Sequence, residues 1–206
     1  MPRIHLASQV ISRKRVPEPG GLIREVVHLR LFTRVLPVGD NRSHEAIVDT
    51  GAPVSLFPVG SWKRLQGSDP TAGPLVIIPE HRTAELDSLP LYTILGCSYR
   101  ARHAWIDLIP VDATDDHRRL APTRVFAAVF VTRVEWKDGK WVPRDEDAKG
   151  LKSIVMGIGA GILDGRYLVL SPHSDPARRS AWLQDEPPPE PATGDTLCSS
   201  RIPPIP

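Results

Sequence analysis

Residues 47–58 read IVDTGAPVSLFP and are the most informative stretch of the chain. Ile47 and Val48 favour a short buried strand, and Asp49 follows at its exposed end. A carboxylate placed where an apolar strand meets a turn is partly desolvated, so its protonation depends on its neighbours. Gly51 lets other backbone come close to that carboxylate and leaves an N–H group that can donate to it.

Two further side chains in this stretch point to a loop that packs against a second loop. The hydroxyl of Thr50 can bond a backbone group on a facing loop. Ala52 is small enough for a second copy of the loop to pack directly against the first. The pattern therefore predicts a carboxylate site built by close backbone approach.

This segment resembles the active-site loop of the retropepsin-like aspartic proteases, the single-domain relatives of pepsin. Their signature is two apolar residues, then Asp, Thr or Ser, Gly and Ala, with a Ser three positions further on, which is Ser55 here. A second landmark of the family is an apolar-apolar-Gly stretch before a short helix and a last strand. Residues 154–157, IVMG, match it, followed by 158–163 and by the apolar run 167–170.

The resemblance implies a mostly β, closed barrel-like acid-protease fold with one catalytic half-site per chain. It also implies aspartic endopeptidase activity, with Asp49 as the catalytic carboxylate and Thr50 and Gly51 completing the catalytic loop. Aspartic protease chemistry needs two carboxylates that share one proton. Because the sequence contains Asp-Thr-Gly once, the active form is predicted to be a homodimer acting on a peptide or protein substrate. Water is the nucleophile, so no metal or organic cofactor is predicted.

The family closes its site with a glycine-rich hairpin, the flap. The best candidate here is residues 94–99, which lie between two apolar strands and contain one glycine. We therefore name Ala52, Gly96 and Cys97 as candidate substrate-binding residues.

The remaining pattern is mostly β and divides the chain into three parts. Alternating apolar residues predict strands at 23–35, 91–95, 104–111 and 124–136, and Asp138-Gly139 predicts a tight turn. Residues 1–20 are predicted to be a flexible leader, part of which could pair as an edge strand, and 21–171 the protease domain. Residues 172–206 contain 9 of the 22 prolines, which predicts a disordered tail.

Composition excludes several classes of protein. The chain of 206 residues has 26 Lys and Arg against 24 Asp and Glu, which lacks the positive excess typical of nucleic-acid binding. It has no apolar run of about 18 residues to span a membrane. Two cysteines do not make a disulfide framework, and the absence of an apolar signal region leaves the cytoplasm as the default compartment.

Alternative interpretations remain open. A non-catalytic binding or assembly module could use the same fold without turnover. Residues 157–161, GIGAG, invite a dinucleotide interpretation, although the spacing of the glycines differs from the fingerprint. A hard cation could be held by three carboxylates, Asp112, Asp115 and Asp116. A nucleophile set could be formed by Ser98, His103 and Asp107.

Overall fold

The computed structural model describes residues 3–17, 19–49, 51–61, 75–144, 151–157, 161, 165–171, 180–186 and 198–201. This part of the chain is mostly β, as the sequence predicts. Its strands are β1 Arg3–Pro17, β2 Ile23–Pro37, β3 His44–Asp49, β4 Ser55–Phe57, β5 Leu75–Ile77, β6 Leu91–Ile94, β7 Cys97–Val111, β8 Thr123–Lys137, β9 Lys140–Arg144, β10 Ile154–Gly157, β11 Tyr167–Ser171, β12 Ser180–Gln184 and β13 Cys198–Arg201. One short helix, α1 Pro79–Arg82, and a 3-10 turn at Leu86–Ser88 lie between β5 and β6.

Six strands are hydrogen-bonded in a closed circuit. The order is β2, β3, β10, β4, β8 and β7, and β7 pairs back to β2. Two pairs of neighbouring strands in this circuit are parallel, β3 with β10 and β4 with β8. The other neighbouring pairs are antiparallel. The circuit therefore places β10 between β3 and β4, although β4 follows β3 closely along the chain.

Alternation along the strands builds two apolar clusters. In β3, Ala46 and Val48 are buried while Glu45 and Asp49 are exposed. In β8 both faces are buried, with Ala127 on the first cluster and Phe130 on the second. Burying one large aliphatic side chain stabilises a fold by roughly 1.5–3 kcal/mol, so these clusters contribute strongly to the stability of the circuit.

The two ends of the chain differ from the expected leader and tail. The first four residues of β1 pair with β12 and the following residues pair with β2, and Ile4 is completely buried. In β12, Ala181 and Leu183 are buried in the first cluster, within the stretch expected to be a disordered tail. The apolar residues at every second position of both short runs explain the difference, because they complete the core from opposite ends of the chain.

Asp112 fixes the loop after β7 to the first strand. Its side chain is buried, and its carboxylate accepts hydrogen bonds from the backbone N–H groups of His5 and Thr114 and from the Thr114 hydroxyl. Burial alone would raise the pKa of Asp112, but these hydrogen bonds hold it below its usual value. Asp112 is thus a buried anchor that holds this loop to β1.

No helix in the described residues has the length and apolar character needed to cross a membrane.

Candidate active site

Asp49 ends β3 at the edge of the closed circuit. β10 runs parallel to β3, and its last residue, Gly157, is the register partner of Asp49. The carboxyl ends of parallel strands meet at one edge of a sheet, so the two sequence motifs that end at Asp49 and Gly157 lie side by side. Pro53 cannot continue a central strand, so the chain turns away after Asp49 and re-enters the sheet at β4.

The loop that leaves Asp49 passes directly over Gly157. A Cβ atom added to Gly157 would lie 2.5 Å from the carbonyl oxygen of Val54 and 2.6 Å from that of Ala52. A Cβ atom does not come this close to a carbonyl oxygen in real structures, so only glycine fits beneath the loop. The close backbone approach that Gly51 suggested is therefore provided by Gly157, on the neighbouring strand.

Ser55 and Gly161 also contact Gly157, where the Asp49 loop passes over it. The buried Ser55 hydroxyl oxygen accepts a hydrogen bond of 3.3 Å from the backbone N–H of Gly157. A Cβ on Gly161 would lie 2.4 Å from the Gly157 carbonyl oxygen. Gly157 and Gly161 are therefore both required where backbone segments pack closely. Their spacing of four residues is the feature of the sequence that indicates Gly161.

The carboxylate of Asp49 is exposed in the single chain. Its Oδ1 accepts a hydrogen bond of 2.8 Å from the backbone N–H of Gly51, the donation that the sequence suggested. Thr50 lies outside the described residues. Asp49 therefore has a fixed orientation with one oxygen engaged by backbone and open surface around it.

The hairpin formed by β6 and β7 occupies the position of the candidate flap in the sequence. Leu95 and Gly96 form its two-residue turn, both with positive φ (52° and 73°), and Leu95 is 72% exposed at the tip. Cys97 is buried at the start of β7, in the second cluster, against which Ala52 also packs. The structure thus links Ala52 and Cys97 through one apolar cluster and leaves Gly96 outside it, at the hairpin turn.

The base of this hairpin contains a half-buried aromatic cluster. The Tyr92 hydroxyl and Nε2 of His103 share a hydrogen bond of 2.6 Å, and the backbone N–H of His103 donates to Nδ1 of His81. Burial, and secondarily the charge of His81, hold the pKa of His103 below its usual value. Burial also raises the pKa of Tyr92, so both groups stay neutral near neutral pH.

The alternative nucleophile set does not converge. Ser98 shares a hydrogen bond with Thr93, and His103 is engaged with Tyr92. Asp107 accepts two hydrogen bonds from Arg124, and these lower its pKa. The three side chains therefore belong to three separate pairs.

The described residues contain no cluster of three His, Cys, Asp or Glu side chains positioned to hold a metal ion. Asp112 is used as the anchor of β1, and Asp115 accepts from the backbone of His117. Asp116 is ion-paired with Arg34. These carboxylates are engaged separately, which gives no support to the cation alternative.

The sequence matches no protein-family model and no curated protein. Among solved structures, a retropepsin-like aspartic protease from Rickettsia conorii is a structural neighbour. The match has 12% sequence identity and a TM-score of 0.28, and it covers 75% of this chain and 79% of that chain.

Proposed function

We propose that the chain is an aspartic endopeptidase that hydrolyses peptide bonds as a homodimer, with Asp49 contributed by each copy. One observation carries the proposal: the loop bearing Asp49 is clamped over Gly157, beside the end of a parallel strand. A clamp of this kind gives a carboxylate a fixed position on rigid elements, which general acid–base chemistry requires.

The exposure of Asp49 favours the dimer. Asp-Thr-Gly occurs once in the chain, so a second carboxylate has to come from another copy. A two-fold axis near Asp49 would bring the two carboxylates together and bury the surface that is open in the single chain. In this arrangement Thr50 is proposed to bond across the two loops, and the Gly51 N–H to orient each carboxylate.

The proposed reaction needs water, two carboxyl groups and one shared proton. The ionised carboxylate takes a proton from the bound water as its oxygen attacks the carbonyl carbon, and the protonated partner gives its proton to the carbonyl oxygen. The tetrahedral intermediate then collapses. The C–N bond breaks as one carboxyl group gives its proton to the amine nitrogen and a hydroxyl of the intermediate gives its proton to the other carboxylate, so the dyad is again singly protonated.

The closed circuit of six strands supports the finer interpretation of the fold as barrel-like, with residues 21–171 as its main part. The β6–β7 hairpin is proposed as the flap, with Gly96 and Ala52 contacting the peptide. Cys97 is proposed to support the hairpin from the second apolar cluster, next to the turn, because its side chain is buried.

A peptide-library digest between about pH 3 and 7 tests the proposal on the wild type and on Asp49→Asn. We expect cleavage by the wild type, with an optimum at roughly pH 4–6 because the dyad works only when it carries one proton. Asp49→Asn should fold and be inactive, and Asp138→Asn, at an exposed turn, is the matched control. A folded wild-type dimer that cleaves nothing would favour the non-catalytic module.

A further inference from the structure

The outer halves of β1 and β2 form a two-stranded arm, residues 8–30, that leaves the rest of the sheet. Residues 8–17 of β1 pair only with β2, and β2 pairs with β3 only from Leu31 onward. Nearly every residue of β1 from Ala7 to Pro17 is exposed, on both faces. The described residues place no layer over the arm, and an isolated two-stranded ribbon is at best marginally stable in water.

The arm leaves the sheet at the edge that carries Asp49. Leu31 is the register partner of Val48, so Arg30 lies level with Asp49, the last residue of β3. Seven residues of β2 continue past this point, which corresponds to about 23 Å of strand. A second copy that brought its own Asp49 to this edge would come within reach of the arm.

Exposed apolar residues are concentrated on the arm. Of the 13 large apolar side chains that are exposed in the described residues, six lie there, and Leu22 and Ile23 are 67% and 68% exposed. Val10 and Leu29 are register partners, so they share the face that continues from the partly buried Leu31. The apolar inner face of the sheet thus continues onto the start of the arm through Val10 and Leu29 without any cover from the described residues, which is typical of a protein–protein interface.

Charge distinguishes between the surfaces that could cover the arm. Residues 8–30 contain five Lys and Arg and two Asp and Glu, a net charge of +3, whereas the whole chain has +2. The rest of the chain therefore has a net charge of −1. Two arms of the same charge would repel each other, which favours docking of each arm on the body of a second copy over contact between the two arms.

β11 is a second strand that could join two copies, but strands already pair with it on both sides. β11, the strand predicted to end the domain, pairs with β12 on one side and β13 on the other. From these observations we infer that the arm is a docking element for a second copy of this chain, and that the two arms of a dimer each lie on the body of the partner. The inference deepens the proposed function, since the arm starts beside Asp49 and would hold the two copies in register.

Sedimentation velocity over a concentration series tests this with the full chain, comparing the wild type with the double variant Val10→Asp, Leu29→Asp. Each charge would be placed in a buried apolar contact, so we expect the dimer dissociation constant to rise at least about ten-fold. Gln9→Asp is the matched control, because Gln9 lies on the opposite face of the same strand. A second variant replaces residues 10–29 by Asn-Gly, which shortens the arm and avoids any folding defect of the charged variant.

The outcomes separate the arm from the proposed function. A wild-type dimer that is weakened in both arm variants and unchanged in Gln9→Asp supports the inference, whether or not the peptide digest finds activity. Equal dimerisation of all four proteins overturns the role of the arm and leaves the proposed protease intact. A wild type that is monomeric at every concentration overturns both.

Discussion

Asp49 and Gly157 are register partners on two parallel strands, and the loop that follows Asp49 lies in contact with Gly157. The position of the candidate catalytic carboxylate is therefore set by a glycine in a distant part of the sequence. Ser55 strengthens the relationship, because its hydroxyl is bonded to the N–H of that glycine.

Gly157→Ala should destabilise the fold and displace the Asp49 loop. The new methyl group would overlap the carbonyl oxygens of Val54 and Ala52. Overpacking of this kind costs about 1–3 kcal/mol in the free energy of unfolding. Gly60→Ala is the control, since nothing lies within 4 Å of a Cβ there. Urea unfolding measures both, and equal stability of the two variants would contradict the crossing-loop geometry.

Removing the side chain of Leu183 should cost far more than removing that of Leu170 on the neighbouring strand. Leu183 is completely buried, and Leu170 is 38% exposed. A buried Leu→Ala change leaves a cavity and costs about 2–5 kcal/mol, so thermal unfolding of Leu183→Ala should occur at a clearly lower temperature. If the two alanine variants melted alike, residues 180–184 would not belong to the core, and the expected disordered tail would be correct there.

Asp112→Asn should destabilise the chain at neutral pH and have little effect in acid. The amide nitrogen would face either the N–H of His5 or that of Thr114, and a buried group left without a partner costs about 1–3 kcal/mol. The folded-state pKa of Asp112 lies below its usual value of 3.8, so its stabilising contribution is full above that pH. It is lost as the pH falls through the folded-state pKa, because both states then bind the proton.

Urea unfolding from about pH 7 to pH 2 measures this effect. The wild type and Asp112→Asn should converge toward the acid end, while the exposed-site control Asp138→Asn follows the wild type throughout. If the free energies of unfolding of wild type and Asp112→Asn differed by the same amount at every pH, ionisation of the Asp112 carboxylate would not be the cause of the difference.

The local parts of this architecture could be predicted from sequence, and the non-local parts could not. The strand ending at Asp49, the β-hairpin turn at Asp138-Gly139 and the apolar run before Gly157 are each encoded by a few adjacent residues. The reason Gly157 has to be glycine depends on a loop about a hundred positions earlier in the chain, which no local pattern reveals.

The ends of the chain show how composition can outweigh a short periodic signal. Ile4 and Leu6, and likewise Ala181 and Leu183, are spaced by two, as a half-buried strand requires. The proline content around the second pair predicts disorder, yet pairing of β12 with β1 and β11 satisfies its backbone and buries its apolar side chains. Asp112 was similarly missed, because its partner His5 lies in the expected leader.

Subunit mixing tests the shared dyad most directly. Wild-type chains are allowed to exchange with increasing amounts of inactive Asp49→Asn, and peptidase activity is measured per wild-type chain. If each site needs Asp49 from both copies, a nine-fold excess of the variant should reduce this activity about ten-fold, since random pairing leaves few wild-type dimers. Activity per wild-type chain that stays constant while the subunits demonstrably exchange would show that one chain holds a complete site, and would contradict the dyad.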